Sequence, residues 1–259
     1  MNQSLKFYGR LAAIAVVGLA SADAAFAAFT VSYEAAGVTS ANTANLCAAL
    51  GTGTCTIGVE TFDARSAGTG GFSTDYGTSG VITGSYSATT EIRQADVYGG
   101  AGGSNYAVTF ADTGYEVALS TSLPNGVNYF GYWLSALDTG NQVKFYSGAN
   151  LLYTFMPADL IALVGGCPDA SNPYCGKPGW SNGNLGQPYA FLNFFSTESF
   201  DRIVFLEDPT VGGYESDNHT VGYVTGRSGT VINDAPEPAS LALVAVALAG
   251  MSMTRRRKG

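Results

Sequence analysis

The stretch with the clearest potential for chemistry is Glu215-Ser216-Asp217-Asn218-His219, where carboxylate, amide and imidazole side chains follow one another. Ca²⁺ prefers about six to eight oxygen ligands of these kinds. Glu215, Asp217 and Asn218 are therefore candidate ligands of a structural calcium ion. Strand alternation would place Glu215, Asp217 and His219 on one face and Asn218 on the other, which would divide the ligands. The alternative is that these side chains bond their own backbone at a strand entry.

His219 is the only histidine in the chain. A Ser–His–Asp or Cys–His nucleophilic site would have to use it, but the sequence has no G-x-S-x-G elbow. A glycosidase needs only two carboxylates about 5–10 Å apart, and the sequence singles out no such pair. We therefore predict that the protein is not an enzyme and has no cofactor beyond the candidate calcium ion. Polysaccharide hydrolysis is kept as an alternative.

The cysteines are Cys47, Cys55, Cys167 and Cys175, an even number. In an exported chain such a count favours disulfides, and four cysteines allow three connectivities. Each of the pairs 47–55 and 167–175 encloses a short segment rich in turn-forming residues, and short loops close at low entropic cost. We favour the pairings Cys47–Cys55 and Cys167–Cys175. Zinc is the rival, but the spacing does not fit C-x₂-C sites.

Aromatic side chains raise the question of carbohydrate binding, because flat rings stack on sugar faces. Trp133 lies within the apolar run FGYWLSAL, where core packing is expected. Trp180 instead lies in CPDASNPYCGKPGWSNGNLGQPY, a loop too polar for a core. Long loops without secondary structure are usually functional or mobile. Tyr174, Trp180 and Tyr189 are thus candidate glycan contacts, and the alternative is that Trp180 folds back over a sheet edge.

Charge narrows the choice of partners. The whole chain has a formal charge of −8, but residues 28–234 hold six Lys and Arg against eighteen Asp and Glu. So acidic a segment argues against nucleic acid or anionic lipid as a partner. Neutral glycans and divalent cations suit it better, and the acidity is also what keeps a secreted protein soluble.

The elements that must position these residues are short strands separated by glycine-rich turns. About eleven strand candidates recur along the chain. They are AFTVSYEA, TIGVETFD, GVITGSYS, NYAVTF, YEVALS, VNYFGYWLSAL, QVKFYS, LLYTFM, YAFLNFF, FDRIVFLE and HTVGYV. Residues 138–141 and 147–150 are predicted hairpin turns, and residues 157–164 are the one predicted helix. This pattern predicts an all-β, jelly-roll-like β-sandwich over residues 28–234.

Residues 1–27 have the features of a signal peptide. Lys6 and Arg10 precede an apolar run of about ten residues, which is short for a membrane span and normal for a signal h-region. Ala25 and Ala27 then form an A-x-A site. We predict export, with cleavage by signal peptidase after Ala27.

Residues 235–259 contain a second apolar segment. Residues 239–254 carry no charge, and as a helix they would reach about 24 Å, less than a hydrocarbon core of about 30 Å. The cations Arg255, Arg256, Arg257 and Lys258 follow directly and would hold this end in the cytoplasm. We predict a single, marginal transmembrane helix, so the inner membrane is at least a transient partner.

The order Pro236-Glu237-Pro238, apolar segment, basic stop resembles the PEP-CTERM sorting signal of Gram-negative bacteria that make exopolysaccharide. The resemblance implies that an exosortase recognises the tripeptide and cuts nearby. It further implies a transient inner-membrane anchor, followed by delivery to the cell surface or release. A temporary anchor would also account for the short apolar segment.

A second resemblance covers roughly residues 127–225. Residues 129–133 (YFGYW) lead through a turn into residues 145–148 (FYSG), and residues 189–195, 200–205 and 214–218 follow. This order is similar to a group of exosortase-dependent surface proteins with one β-sandwich. Here His219 and Thr220 delay the apolar residues that usually close the last strand. The resemblance implies fold and location, and no activity.

Together these observations predict a secreted, disulfide-bonded protein of the cell surface or exopolysaccharide matrix, with a non-catalytic structural or adhesive role. A carbohydrate-binding module is the first alternative and a polysaccharide hydrolase the second. Exopolysaccharide is the candidate macromolecular partner.

Overall fold

Two antiparallel sheets account for most of the chain that the structure describes. The structure is a computed structural model, and it describes residues 29–48, 55–181 and 183–234. These residues belong to one compact unit, which spans Phe26–Pro238. Among them no helix is both long and apolar enough to cross a membrane. The predicted signal peptide and transmembrane helix lie outside the described residues.

The first sheet has nine strands. In spatial order they are β15 (Thr230–Asp234), β1 (Phe29–Tyr33), β12 (Ala190–Ser196), β9 (Tyr129–Ser135), β14 (Tyr214–Gly222), β7 (Tyr106–Thr109), β6 (Glu91–Arg93) and β3 (Gly68–Thr69), with β2 (Ile57–Glu60) paired to β14 beside this path.

The second sheet has six strands. They are, in spatial order, β11 (Asn150–Phe155), β10 (Asn141–Ser147), β13 (Arg202–Glu207), β8 (Tyr115–Thr121), β5 (Ile82–Tyr86) and β4 (Phe72–Thr74). The expected all-β sandwich is thus confirmed as two antiparallel sheets. Each of the eleven predicted strands overlaps an observed one, because alternation and β-branched or aromatic content are local signals.

An aromatic core lies between the sheets. Phe205 of the second sheet packs on Tyr132 of the first, with ring centroids 5.2 Å apart. Phe145 packs on Phe194 across the same interface at 5.0 Å. Edge-on and tilted contacts of this kind add to the free energy of burial, about 0.5–1.5 kcal/mol for each pair.

The first sheet is covered on its outer face as well. All seven residues of β9 and all seven of β12 are buried. Trp133 and Tyr189 pack together on that face, and Tyr129 and Phe195 pack beside Leu46. The predicted core position of Trp133 is therefore confirmed, and these strands show no alternation of burial because both faces are covered.

One of the two predicted hairpins is wrong. Residues 147–150 do join β10 to its partner β11, with Ser147 opposite Asn150 and Gly148 at a φ of 56°. Residues 138–141, however, connect β9 in one sheet to β10 in the other. A turn sequence reports a change of chain direction, and it does not report whether the flanking strands pair with each other.

Two short helices and two disulfides complete the described fold. Helix α1 (Thr43–Cys47) was not predicted, and α2 (Ala158–Val164) matches the predicted helix closely. Cys47 bonds to Cys55 and Cys167 to Cys175, the pairings that we favoured. Each disulfide closes a loop with a sequence separation of 8.

Candidate functional site

A β-bulge determines where the 215–219 cluster points. Asn218 has a φ of 51°, and the register between β14 and β9 shifts between Asp217 and Thr220. The extra residue reverses the alternation beyond that point. Consequently Ser216 and His219 both point into the core, whereas Asp217 points to the opposite face. The expectation that Glu215, Asp217 and His219 share one face was wrong, because alternation assumes an unbroken strand.

His219 lies at the centre of the inter-sheet core with no exposed surface. Its Nδ1 is 2.9 Å from the hydroxyl of Tyr86, and its Nε2 is 3.0 Å from Ser216 Oγ. Burial lowers the pKa of His219 to about 3, so the ring is neutral at physiological pH. Ser216 and His219 have the separation of a nucleophile and its base, but a substrate cannot reach a pair that is wholly buried. Their hydrogen bonds serve the core.

Asp217 is buried on the other side of the sheet. Its Oδ2 accepts hydrogen bonds from the Ala101 N–H at 2.7 Å and from Ser104 Oγ at 2.8 Å. Burial raises the pKa of Asp217 to about 7, although these hydrogen bonds oppose the rise. The side chain thereby joins the 101–104 turn to β14, a structural role of the kind that we named as the alternative to calcium.

The calcium prediction is not tested by this geometry. Among the described residues no group of three or more His, Cys, Asp or Glu side chains is arranged to hold a metal ion. Asn218, the third predicted ligand, donates from Nδ2 to the Thr39 carbonyl at 2.7 Å. Bound calcium at Glu215, Asp217 and Asn218 stays a prediction.

The three predicted glycan contacts do not form one surface. Tyr189 is only 1% exposed, and its hydroxyl donates to the Val97 carbonyl at 2.8 Å. Tyr174 is half-buried and donates to the Glu34 carbonyl at 3.1 Å. Trp180 is 38% exposed. Of the three side chains, Trp180 therefore offers the most surface to a ligand.

Lys177 supports Trp180 from one side. The Lys177 Nζ lies 3.9 Å from the Trp180 ring centroid and donates to the carbonyls of Asp96 and Gly99 at 2.7 and 2.6 Å. The cation thus lies against the indole and ties this loop to the 96–99 turn. Trp180 is held in place by this contact. Whether it also covers a sheet edge, the alternative to glycan contact, stays a prediction.

A cleft, which we call the Tyr98 cleft, opens where five loops meet. It has a volume of about 390 Å³. The loops that form it follow β6, β7, β9, α2 and β13. Its lining residues are Arg93, Tyr98, Phe110, Ala136, Asp138, Gln187, Val211, Gly212, Gly213 and Glu215. Sequence reasoning missed Tyr98 and Phe110. An exposed aromatic residue within the glycine-rich stretch VYGGAGGSN was the available signal, the same kind that pointed to Trp180.

Two glycines shape the floor of the Tyr98 cleft. A Cβ at Gly212 would collide with Asp138 Oδ2, and one at Gly213 would collide with Glu215 Oε1. The absence of a side chain at both positions lets the 212–213 backbone lie directly against two carboxyl groups.

Carboxyl groups in and beneath the cleft have raised pKa values. Burial raises the pKa of Glu215 to about 8 and that of Glu207 to about 7, and the negative charge of Asp138 adds to both shifts. Burial also raises the pKa of Asp138, which accepts a hydrogen bond from Gln187 Nε2 at 2.6 Å. Asn141 Nδ2 donates to Glu207 Oε2 at 2.8 Å. At neutral pH Glu215 is thus mainly a neutral carboxylic acid.

A second concave region lies on the open face of the second sheet. It has a volume of about 560 Å³ and includes Glu116, Tyr146 and Arg202 among its lining residues. Here the functional groups pair with each other. Arg202 donates to Glu116 at 3.1 Å and lies 3.8 Å from the Tyr146 ring centroid.

The similarity of this chain to known proteins is limited. No curated protein matches the chain. One solved structure, "Structure of TmCBM61 in complex with beta-1,4-galactotriose at 1.4 A resolution", matches at 13% identity over 60% of this chain and 92% of its own, with a TM-score of 0.21. A TM-score of this size does not establish a shared fold.

The C-terminal residues do have a match. The family model described as the PEP-CTERM protein-sorting motif matches residues 234–258. That range includes Pro236, Glu237, Pro238 and the basic stop, which lie outside the described residues, as do Ala25 and Ala27 at the predicted signal cleavage site. The chain therefore carries the PEP-CTERM protein-sorting motif at its C-terminus.

Proposed function

We propose that the chain is the precursor of a non-catalytic protein of the cell surface or exopolysaccharide matrix. The sorting motif at residues 234–258 carries this proposal, since it implies export, processing by an exosortase and sorting to the cell surface. Signal peptidase removes residues 1–27, and the apolar C-terminal helix holds the chain in the inner membrane until the exosortase cuts near Pro236–Pro238. The jelly-roll-like sandwich then acts as a structural or adhesive component.

Three features of the described chain support this role. Both disulfides suit an oxidising compartment outside the cytoplasm. The one histidine is neutral and enclosed in the core, where it cannot act on a substrate. The outer faces hold few cations, which suits a solvated protein surrounded by neutral polysaccharide.

Intact mass of the protein recovered from an exosortase-competent host tests the proposal. The expected mass lacks residues 1–27 and the C-terminal segment and is reduced by the hydrogens lost to two disulfides. Glu237→Ala is expected to leave the C-terminal segment attached, because it alters the recognised tripeptide. Glu198→Ala, which changes an exposed carboxylate outside residues 234–258, is the matched control. Full-length chain persisting in the inner membrane of the competent host would refute the sorting step.

Carbohydrate binding is the second candidate function. The observation that favours it is Trp180, which is 38% exposed in the segment that follows the Cys167–Cys175 disulfide. Binding to a glycan array that Trp180→Ala abolishes would support a site in this loop.

Hydrolysis is the remaining alternative, and release of reducing ends from polysaccharide would reveal it. Such turnover would have to survive His219→Phe, since His219 has no access to solvent.

A further inference from the structure

The mouth of the Tyr98 cleft exposes large apolar side chains. Tyr98 is 49% exposed, Phe110 39% and Val211 56%. Single exposed apolar residues are ordinary, but three around one concavity form an apolar patch that a ligand can cover. Ligand sites are typically concave and lined by aromatic groups with a few polar groups that fix orientation. The Tyr98 cleft has this composition.

The polar floor has unused bonding capacity. Glu215 is 5% exposed, and its Oε2 has no hydrogen-bond partner among the described residues. An unpaired buried carboxyl oxygen costs about 1–3 kcal/mol, so a ligand group that bonds to it gains that free energy. Asp138 and Gln187 lie on the same floor. Gln187 Nε2 donates to Asp138 and Gln187 Oε1 accepts from Asn184 Nδ2, which leaves the second Nε2 hydrogen and the remaining oxygen lone pairs for a ligand.

The protonation of the floor suits hydroxyl groups. Because burial raises the pKa of Glu215 to about 8, its carboxyl group at neutral pH has both a donor O–H and an acceptor oxygen. Gln187 likewise has both a donor NH₂ and an acceptor oxygen, and Asp138 accepts. A sugar hydroxyl both donates and accepts, so a row of such groups matches neighbouring hydroxyls on one pyranose ring.

Charge excludes anionic sugars from this cleft. Its one cation, Arg93, already donates to Glu91 at 2.7 Å and lies 4.4 Å from the Phe110 ring centroid. Glu215 is mainly neutral at neutral pH and adds no positive charge, Asp138 is a second carboxyl group, and residues 28–234 carry eighteen carboxylates against six cations. A uronate or sulfated sugar would meet this field without a free counter-charge. The volume of about 390 Å³ falls within the usual range of small-ligand sites.

We propose that the Tyr98 cleft binds a pyranose unit of a neutral polysaccharide, with Tyr98 and Phe110 against the apolar face of the sugar and Asp138, Gln187 and Glu215 on its hydroxyls. The proposal rests on the carbohydrate-binding candidate above for its ligand class, and it places the site away from Trp180. It requires neither cleavage nor the sorting step.

Isothermal titration calorimetry tests this site, with the processed protein purified from an exosortase-competent host. The probes are neutral hexasaccharides of glucose, mannose and galactose, with a galacturonate hexasaccharide as the anionic probe. At least one neutral probe is expected to bind. Tyr98→Ala is expected to weaken that binding at least tenfold, and Val211→Glu, a second variant at the mouth, is expected to weaken it as well. Trp180→Ala, which removes another exposed aromatic ring outside the Tyr98 cleft, should change binding less than twofold.

The other outcomes separate the proposals. Absence of binding to all three neutral probes, or tighter binding of galacturonate, would overturn the Tyr98 site. Binding lost in Trp180→Ala but kept in Tyr98→Ala would overturn it too, while leaving the carbohydrate-binding candidate in place. The intact mass of the same preparation reports on sorting independently of any titration. Unchanged circular dichroism and unfolding midpoints establish that the variants are folded.

Discussion

At the scale of single residues, the polar groups of β14 divide between two tasks. Ser216 and His219 complete hydrogen bonds within the aromatic core, whereas Glu215 lines the Tyr98 cleft. Ordinary alternation separates Glu215 from Ser216, and the bulge at Asn218 brings His219 to the same face as Ser216. Adjacent residues of one acidic motif therefore face different surroundings, the core between the sheets and the Tyr98 cleft.

His219→Phe tests the structural role of the histidine. The variant keeps an aromatic ring in the core but leaves the Tyr86 hydroxyl without this partner, which costs about 1–3 kcal/mol of unfolding free energy. Adding Tyr86→Phe removes the unpaired hydroxyl as well, so the double variant is expected to be more stable than His219→Phe alone. Urea unfolding of the two single variants and the double variant measures this. Equal stability of His219→Phe and the wild type would show that the hydrogen bond contributes nothing.

Glu215→Gln tests the raised pKa of the carboxyl. Since the folded-state pKa of about 8 exceeds the unfolded value near 4.5, folding takes up a proton between these pH values. The contribution of Glu215 to stability is therefore full below the lower value and falls as pH rises to the upper one, by up to about 1.4 kcal/mol per pH unit. Glutamine cannot ionise. The free energy of unfolding of Glu215→Gln, measured in urea, is therefore expected to rise relative to that of the wild type as the pH increases from 5 to 8.

Glu198→Gln, an exposed carboxylate, is the control for that series and is expected to follow the wild type. If Glu215→Gln showed the same pH dependence as the wild type, the carboxyl group would not be protonated in the fold. The acidic motif of β14 was readable in the sequence. The pKa shift was not, because it depends on the loops that bury Glu215.

At the scale of elements, both disulfides close loops next to helices. Cys47 lies in α1, and Cys167 follows α2 closely. Neither helix exceeds seven residues, too short to be stable alone in water. Each helix therefore depends on its packing and on the covalent link beside it.

Replacement of Cys167 and Cys175 by serine is expected to lower the unfolding free energy by about 2–3 kcal/mol, from the entropy of closing a loop of about nine residues. The matched control is the serine pair at Cys47 and Cys55, since both disulfides have a sequence separation of 8. If chain entropy is the only contribution, the two serine pairs lower the unfolding free energy by equal amounts. Urea unfolding of both variants measures this. A much smaller loss at 167–175 would mean that this loop opens independently of the sandwich.

At the scale of the whole molecule, the chain combines a sorting tail with a β-sandwich. The motif match covers residues 234–258, and the described unit holds the two sheets and the cleft. If the tail serves delivery alone, the stability of the sandwich is independent of it.

Deletion of residues 235–259 is expected to leave the unfolding free energy of the exported protein within about 0.5 kcal/mol of the processed wild type, as for changes away from a core. The deleted protein should no longer be retained at the inner membrane, which fractionation measures. A loss of several kcal/mol would show that the tail belongs to the finished fold.

The sequence by itself determined the features that depend on neighbouring residues. The eleven strand candidates, α2 and the two disulfide pairings follow from alternation, turn chemistry and loop length, which are all local. The PEP-CTERM motif was equally readable, because an enzyme recognises it as a linear segment. The shortest strands, β3, β4 and β6, were missed because two or three residues are too few to show the alternation of apolar and polar side chains.

Only the tertiary structure decided the features that depend on distant segments. Residues 138–141 look like a hairpin, yet they cross between sheets, since strand pairing is settled by packing far along the chain. The bulge at Asn218 turned His219 into the core, and residues 38–41, 97–101 and 133–136 buried Tyr189. The Tyr98 cleft assembles residues 93–110, 136–138, 187 and 211–215. Its chemistry exists only where these loops meet, because proximity and burial, which a linear pattern does not record, create both the concavity and the raised pKa values.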